Sequence, residues 1–331
     1  MDSLTQIALG AAVGEAVLGK KAGNKAMLYG AIAGTIPDLD AIAGNFTDVV
    51  TALEIHRGFM HSILFDLLLA PVLGWFVSRY EKAAPWKEWT WLFFLGLFTH
   101  SLLDVQTSWG IQLFWPLDLR LALKNIFVID PLYTLPLLAG LILAMRKPKD
   151  SSQRRKYNRL GLIISSSYLL FTLCMKGVTY VQFEQALQNQ GIEYVELETK
   201  PTPLNTILWS ANVKTEDAFL IGYYSLFDSQ PIQFSKYPKK HHLLGALKHN
   251  NKIQQMIEIS QNWYTISKQN GALYFNDLRY GTLSITPGAT NFVFSYKIET
   301  KNGEVQLIER PKGSNEAKKL LSQLWKRIKG N

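Results

Sequence analysis

The sequence predicts a mainly α integral membrane helical bundle of about six transmembrane helices, followed by a C-terminal extracytoplasmic α+β domain. Three observations predict it. Apolar segments approaching the ~20 residues that span a bilayer crowd the first 180 positions, while the rest is an ordinary polar mixture. The basic connections between those segments fall on one side of the membrane when the segments are counted through. The later part alternates apolar and polar residues with the period of strands. The chain therefore divides into a transmembrane helical domain, 1–179, and a soluble extracytoplasmic α+β domain, 180–331.

The candidate spans are 4–19, 26–44, 62–79, 89–105, 126–145 and 160–178. The first is short and interrupted by Glu15, but Gly10 with Gly14, like Gly30 with Gly34, has the small-residue spacing that lets helices approach closely in lipid. A soluble bundle of buried helices is the alternative reading of such segments. Residues 146–159, "RKPKDSSQRRKYNR", carry seven bases against one acid and should be cytoplasmic. Residues 80–88 and "KKAGNK" at 20–25 then share that side, and everything beyond about 179 lies outside. The N-terminus has an acid and no base before its apolar stretch, so it reads as retained and not as a cleaved signal. Cys174 is the single cysteine, which excludes an intramolecular disulfide.

In the polar half, "YVQFEQALQNQ" continues the last span, "IEYVELETK" alternates as a strand, and "NTILWSANVKTEDAFLIGYYSLFD" reads as a hairpin turning at Thr215, Glu216 and Asp217. Further strands are expected at 262–267, 271–276, 282–286, 291–299 and 304–309. "KKHHLLGALK" and "NNKIQQMIEIS" read as helical, and "NEAKKLLSQLWKRIK" closes the chain as a basic amphipathic helix. The net charge of +9 does not point to nucleic acid, because the bases gather in a loop between apolar runs and in the C-terminal tail.

Four polar groups in the membrane half can carry chemistry, and the topology brings all of them to the outer face. Asp38 and Asp40 come from "IPDLD", where Pro37 should break the second span. His56, Arg57 and His61 come from "HRGFMHS". His100 and Asp104, at i and i+4 in "THSLLD", share one helix face. Asp130 precedes a proline in "VIDPLYT". Ionisable groups at membrane depth are costly and mark function by default. Each has a structural alternative: Asp130 as a helix cap, His100 with Asp104 as a buried pair, Asp38 and Asp40 as loop caps. Their convergence on one face favours a common site.

Three imidazoles and several carboxylates suit one or two divalent transition metals, zinc first and manganese second. The candidate ligands are Asp38, Asp40, His56, His61, His100, Asp104 and Asp130, and the candidate catalytic residues are Arg57 and Asp40. Arg57 is permanently cationic and suits an anionic oxygen of a substrate. Asp66, a turn beyond Ser62, reads either as a group orienting a ligand histidine or as a plain buried acid.

Together "MDSLTQ", "GAIAGTIPDLD", "HRGFMHS" and "HSLLDVQTSWGIQLFWPL" resemble the membrane-bound metal-dependent hydrolase family, the LexA-regulated inner-membrane type of bacteria, over about residues 1–140. "IDPLYTLP", "PTPLNTILW" and "FNDLRYG" resemble its longer members, which carry an extra C-terminal domain. The His-x-x-x-Asp element is similar to that of the zinc-dependent phospholipases C. The resemblance implies a bacterial inner-membrane protein that cleaves a phosphoester of a membrane lipid or lipid-linked substrate, with Asp38, Asp40, His56, His61, His100 and Asp104 at the motif positions. One position departs: many members have Thr-His near the N-terminus, where this chain has Thr5-Gln6. Glutamine is a poor zinc ligand, and Asp2 is the nearest replacement, so one or two ions are expected and not three.

In the outer domain, Asp277 and Arg279 read as a substrate clamp or as a structural salt bridge, with the salt bridge preferred, and His241, His242 and His249 as a solvated face. Two other classes compete with the hydrolase. One is a non-enzymatic metal-binding or sensing protein whose outer domain engages a partner. The other is a transporter, which would need midplane charges and a repeat that the sequence lacks.

Overall fold

The computed structural model describes residues 1–44, 46–301, 303–311 and 313–331, without the side chains at 43, 314, 315 and 317. They form two compact units, Met1–Phe46 with Ile55–Cys174, and Thr47–Glu54 with Met175–Asn331.

The first unit is helical. In it run α1 (Ser3–Ala22), α2 (Asn24–Ala33), α3 (Asp40–Gly44), the end of α4 (Val49–Ile55), α5 (Ile63–Tyr80), α6 (Trp86–Val105), α7 (Pro131–Met145) and the first part of α8 (Ser152–Asn189). Two of these, α5 and α8, are long and apolar enough to cross a membrane, and α7 is a shorter apolar helix.

Two expected spans are corrected, and the extent of a third changes. The segment 26–44 is not one helix. It stops at Ala33, turns at Gly34 and re-forms as a 3-10 turn over Pro37–Leu39 before α3, because proline lacks the N–H that would continue the ladder. Its ten-residue α2 rises ~15 Å, half of a ~30 Å hydrocarbon core. The span expected at 126–145 begins only at Pro131, in the first helical turn that proline favours. The span expected at 160–178 lies inside the 38-residue α8, which also absorbs half of the basic segment read as a loop.

The glycine spacing explains how α1 and α2 meet. A methyl group on Gly10 would collide with the Gly30 carbonyl, and one on Gly14 with the Ala26 carbonyl, so the two backbones touch where no side chain could fit. Behind this crossing lies a buried ion pair. Arg154 donates through Nε and Nη2 to both oxygens of Glu15, at 2.6 and 2.5 Å, and through Nη1 to Asn24 Oδ1 at 2.8 Å. At the same end Lys21 meets Glu88 and Lys25 meets Glu81. The loops placed on one side by charge counting thus pair with each other.

The second unit holds two four-stranded antiparallel sheets in sequential order. The first comprises β1 (Glu196–Pro201), β2 (Leu208–Lys214), β3 (Ala218–Ser225) and β4 (Phe234–Pro238). The second comprises β5 (Tyr264–Gln269), β6 (Ala272–Thr282), β7 (Phe292–Lys301) and β8 (Glu304–Glu309). Alternation assigns the layers. Trp209, Ala211 and Val213 pack on Phe183 and Leu187 of α8. Phe219 and Ile221, facing the other way, pack on Trp263, Leu278 and Phe292 of the second sheet. That sheet's far face, with Ile266 and Phe275, takes α9 (Asn251–Ile259) and Val50, so Thr47–Glu54 completes this core. The helix α10 (Ser314–Ile328) closes the chain.

Here too some expectations change. The strand expected at 282–286 is the end of β6 followed by irregular chain, and β4 was not expected. "KKHHLLGALK" forms 3-10 turns over His241–His249, kinked where Gly245 takes φ 50°, and not an α-helix. Asp277 and Arg279 bind each other, Nη2 to Oδ2 at 2.7 Å, beside a bulge in β6, and both are buried. They form the preferred salt bridge and not a clamp. His241 is half-buried and not simply solvated: its ring stacks on Tyr264 at 4.0 Å and its Nε2 lies 2.9 Å from the Tyr264 carbonyl.

Burial lowers the pKa of His241, and Lys239, Lys248 and Lys214 lower it further, against the raising effect of the Tyr264 carbonyl. The folded chain therefore binds fewer protons here than the unfolded one. The stabilising contribution is complete above the unfolded value of ~6.5 and is lost as pH falls below it. Thermal unfolding of the full chain should show a smaller drop in Tm between pH 7 and pH 5 in His241→Gln than in the wild type. Equal drops would assign the acid sensitivity elsewhere.

Candidate metal centre

Two breaks in helical structure and one regular helix build the site. Gly34 and Pro37 end α2 and set Asp38 in the 3-10 turn, with Asp40 at its end. A second 3-10 turn, Phe59–His61, precedes α5 and carries His61. Near its end α6 supplies His100 and Asp104 from one face. Among the described residues, the donors that converge are Asp38, His61, His100 and Asp104, with one ligand atom of each within 4.8 Å of all the others.

The hydrogen bonds around the imidazoles decide which nitrogens face inward. His100 Nδ1 lies 2.8 Å from the Gly34 carbonyl, which can only accept. That nitrogen carries the proton, and Nε2 keeps its lone pair. His61 Nδ1 lies 3.2 Å from Asp40 Oδ2, off the line of a good hydrogen bond, which again turns Nε2 inward. The two Nε2 atoms then stand 3.3 Å apart. At that distance either a proton shared as an Nε2–H···Nε2 hydrogen bond or a cation lies between them. Around them stand Asp38 Oδ1, 3.5 Å from His61 and 3.6 Å from His100, and Asp104 Oδ2, 3.6 Å from His61. Zinc bonds of 2.0–2.1 Å place tetrahedral ligands about 3.3–3.4 Å apart, close to these four separations, and the other two stay within 4.8 Å, so the donors are close enough together to gather round a divalent cation. Among the described residues Asp104 Oδ2 is buried and accepts no hydrogen bond of good geometry, with only the Arg57 guanidinium beside it, an oxygen of the kind a cation would satisfy.

The surroundings balance this charge. Asp104 Oδ1 accepts from the Met1 amine and from Gln6 Nε2 at 2.9 Å. Arg57 Nε lies 3.2 Å from Asp104 Oδ2, and its Nη1 donates to Thr107 Oγ1 at 2.9 Å. Arg57 takes a left-handed φ of 64°, a strained conformation for its side chain, while its N–H donates to Asp40 Oδ2 at 2.9 Å. Burial opposes ionisation of Asp38 and Asp40, yet His100 and His61 beside the first, and His56 and His61 beside the second, hold both well below the usual carboxylate range.

The other expected residues lie elsewhere. Asp40 stands behind the cluster and binds His56, Oδ1 to Nδ1 at 2.8 Å, while also facing His61. His56 is outside the cluster and partly exposed. Asp130 is not among the converging donors either. It caps α7, accepting from the Leu132 N–H and the Tyr168 hydroxyl, each at 2.9 Å. Asp2 caps α1 by accepting from the Thr5 N–H. Asp66 orients no histidine, since among the described residues no hydrogen bond reaches its buried carboxylate. Sequence reasoning did not find the Gly34 carbonyl or Thr107. The first is a backbone atom without a residue signature, and the second is an ordinary threonine one turn past the His-x-x-x-Asp pair. Because the Asp40 carboxylate faces His61 Nδ1 at 3.2 Å and accepts from the Arg57 N–H, Asp40→Asn should weaken zinc affinity about 10–100-fold, the usual cost of losing a partner of a ligand. Competition with a chromophoric chelator measures it, and an unchanged affinity would remove Asp40 from that role.

The family model described as "YdjM inner membrane protein" matches residues 1–179, the segment that contains all four donors. "Inner membrane protein YbcI" of Escherichia coli (strain K12) is 33% identical over 100 residues, which are 30% of this chain and 57% of that protein. The match thus spans little more than half the length of this curated relative. No solved structure matches the chain.

Proposed function

We propose, since this chain belongs to the YdjM inner membrane protein family, that it is a membrane-embedded, metal-dependent hydrolase of a phosphoester in a lipid or lipid-linked molecule. The observation that carries this reading is the convergence of two inward imidazole Nε2 atoms with Asp38 and Asp104, one ligand atom of each lying within 4.8 Å of the others. Positive-inside counting orients the bundle with the basic segment 146–159 in the cytoplasm, and with the metal centre and the C-terminal domain on the extracytoplasmic side, in a multi-pass arrangement.

Asp38, His61, His100 and Asp104 would hold a divalent cation, zinc first and manganese second. When bound, such an ion supplies Lewis acidity and makes water a nucleophile near neutral pH. The protein's own groups do the rest. Asp38 is 24% exposed at its side chain whereas His61, His100 and Asp104 are fully buried there, so substrate reaches the centre past Asp38. The guanidinium of Arg57 offsets part of the carboxylate charge and makes the site tolerant of an anionic substrate. Asp40 fixes His56 through Nδ1 and leaves its Nε2 to take or give a proton, the arrangement of an oriented general base.

A second reading is a metal-binding or sensing protein without turnover. Four protein donors can fill the four positions of a structural zinc site, whereas catalytic zinc keeps one open. One experiment separates the two. The detergent-purified chain, loaded with zinc or manganese, is assayed on bis(p-nitrophenyl) phosphate and on phospholipids. The hydrolase reading expects turnover in the wild type, metal without turnover in His56→Gln, and neither in His61→Ala. A metal-loaded wild type that cleaves none of these substrates favours the second reading.

A further inference from the structure

The loop after α6 carries an apolar surface that neither the metal centre nor the core uses. Its two arms are tied by Ile111 and Leu121, which exchange backbone hydrogen bonds of 3.1 and 2.9 Å. Ile111 and Leu113 point inward and are buried. The tip between the arms does the opposite: Phe114, Trp115, Leu117 and Leu119 are exposed, Leu117 to 63%. Contiguous exposed apolar patches of this kind mark interaction sites.

The loop is fastened to the site. The Gln112 N–H donates to the Arg57 carbonyl at 3.0 Å, and Arg57 is the residue whose guanidinium meets Asp104. The Ile63 N–H donates to the Leu113 carbonyl at 3.1 Å, just after His61 and Ser62. The Trp115 ring lies edge-on to Phe59 at 4.9 Å, within the turn that carries His61. From there α5, one of the two helices able to cross a membrane, continues with outward Leu64, Leu67 and Leu68. The apolar tip therefore adjoins a helix long and apolar enough to lie in hydrocarbon, and this continuity argues for acyl chain as its occupant.

We infer that the loop tip is the acyl-chain subsite of the metal centre. The chains of a diacyl phospholipid lie along Phe59, Trp115, Leu117 and Leu119, with its phosphate headgroup on the side of the loop that is tied to Arg57. This inference rests on the hydrolase reading for its role, but its test reads binding and not turnover.

The full chain is held in dodecyl maltoside micelles containing increasing fractions of phosphatidylglycerol with a diazirine in one acyl chain, and photolabelled positions are mapped by mass spectrometry. Labelling of residues 114–119 should saturate at a low probe fraction. In Leu117→Gln/Leu119→Gln, whose side chains are exposed and outside the core, it should fall at least ~tenfold with metal content unchanged. Labelling in proportion to probe fraction would mean only bulk lipid around the bundle and would overturn the subsite. So would equal labelling in the double variant. Saturable labelling in a metal-loaded chain that cleaves no phosphoester would keep the lipid subsite and remove the hydrolase reading.

Discussion

Replacing His100 with alanine should lower zinc affinity by more than roughly 100-fold, beyond the 10–100-fold that losing an outer-shell partner costs. The substitution removes an inward Nε2 and releases the Gly34 carbonyl that fixed it. The remaining His61, Asp38 and Asp104 then hold two carboxylates against one imidazole. The effect is also readable as stability. A ligand that binds only the folded chain stabilises it by about 2.7 kcal/mol at a free concentration of 100 Kd. The wild type stripped of metal should gain Tm on addition of zinc, and His100→Ala should not at the same concentration. His249→Ala, an exposed histidine in the other unit, is the control and should behave as wild type. A zinc-dependent gain that survives in His100→Ala would exclude His100 as a ligand.

The second large effect lies at the other end of the bundle. Glu15→Ala leaves the buried Arg154 guanidinium with Asn24 and the Lys147 carbonyl but no opposite charge, and breaking a buried pair from one side costs about 3–5 kcal/mol. Removing both charges should cost much less, since an apolar replacement of a whole buried pair is often near neutral. Unfolding of Glu15→Ala and Glu15→Leu/Arg154→Met in the same detergent tests this. The single variant should be the less stable of the two. If the double variant is equally destabilised, packing and not the stranded charge sets the cost. Either variant should retain zinc binding if it folds, because neither residue touches the donors.

Much of the candidate site was legible because it rests on local periodicity. His100 and Asp104 are one helical turn apart, and no tertiary knowledge is needed to put them on one face. Asp38 was legible from the break that Pro37 makes in its segment, and His61 from the concentration of polar residues in "HRGFMHS" beside an apolar run. The division of labour between ligands and their supports was not. His56 and His61 have the same chemistry and lie five residues apart, yet only His61 points Nε2 at His100, because the turn over Phe59–His61 rotates one ring inward. Asp40 and Asp38 differ in the same way across Pro37–Leu39. Asp130 looked like a ligand because its depth is costly for a carboxylate, but capping α7 and accepting from Tyr168 meet that cost locally.

In the fold, the alternating strands were readable where both neighbours are β-strands with apolar faces. The short β4 was not, since its "FSKYP" mixes polar residues and ends in proline, as edge strands do. Helix lengths in the first unit were misjudged where an apolar run continues past a break, as at Gly34 and Pro37. Composition alone does not register that change of direction. Glu15 read as an interruption of a span, and its partner Arg154 as part of a cytoplasmic loop. Their pairing across 139 positions is a tertiary fact.

The central claim is that four side chains from three separated segments share one cation. Cobalt titration of the metal-stripped, detergent-purified chain tests it most directly, because visible absorption reports the ligand field as well as the stoichiometry. The account predicts one equivalent of Co²⁺ per chain with a visible band that is displaced by zinc and absent in both His61→Ala and Asp104→Ala. Binding with the same stoichiometry and spectrum in those variants, or no band in the wild type, would contradict it.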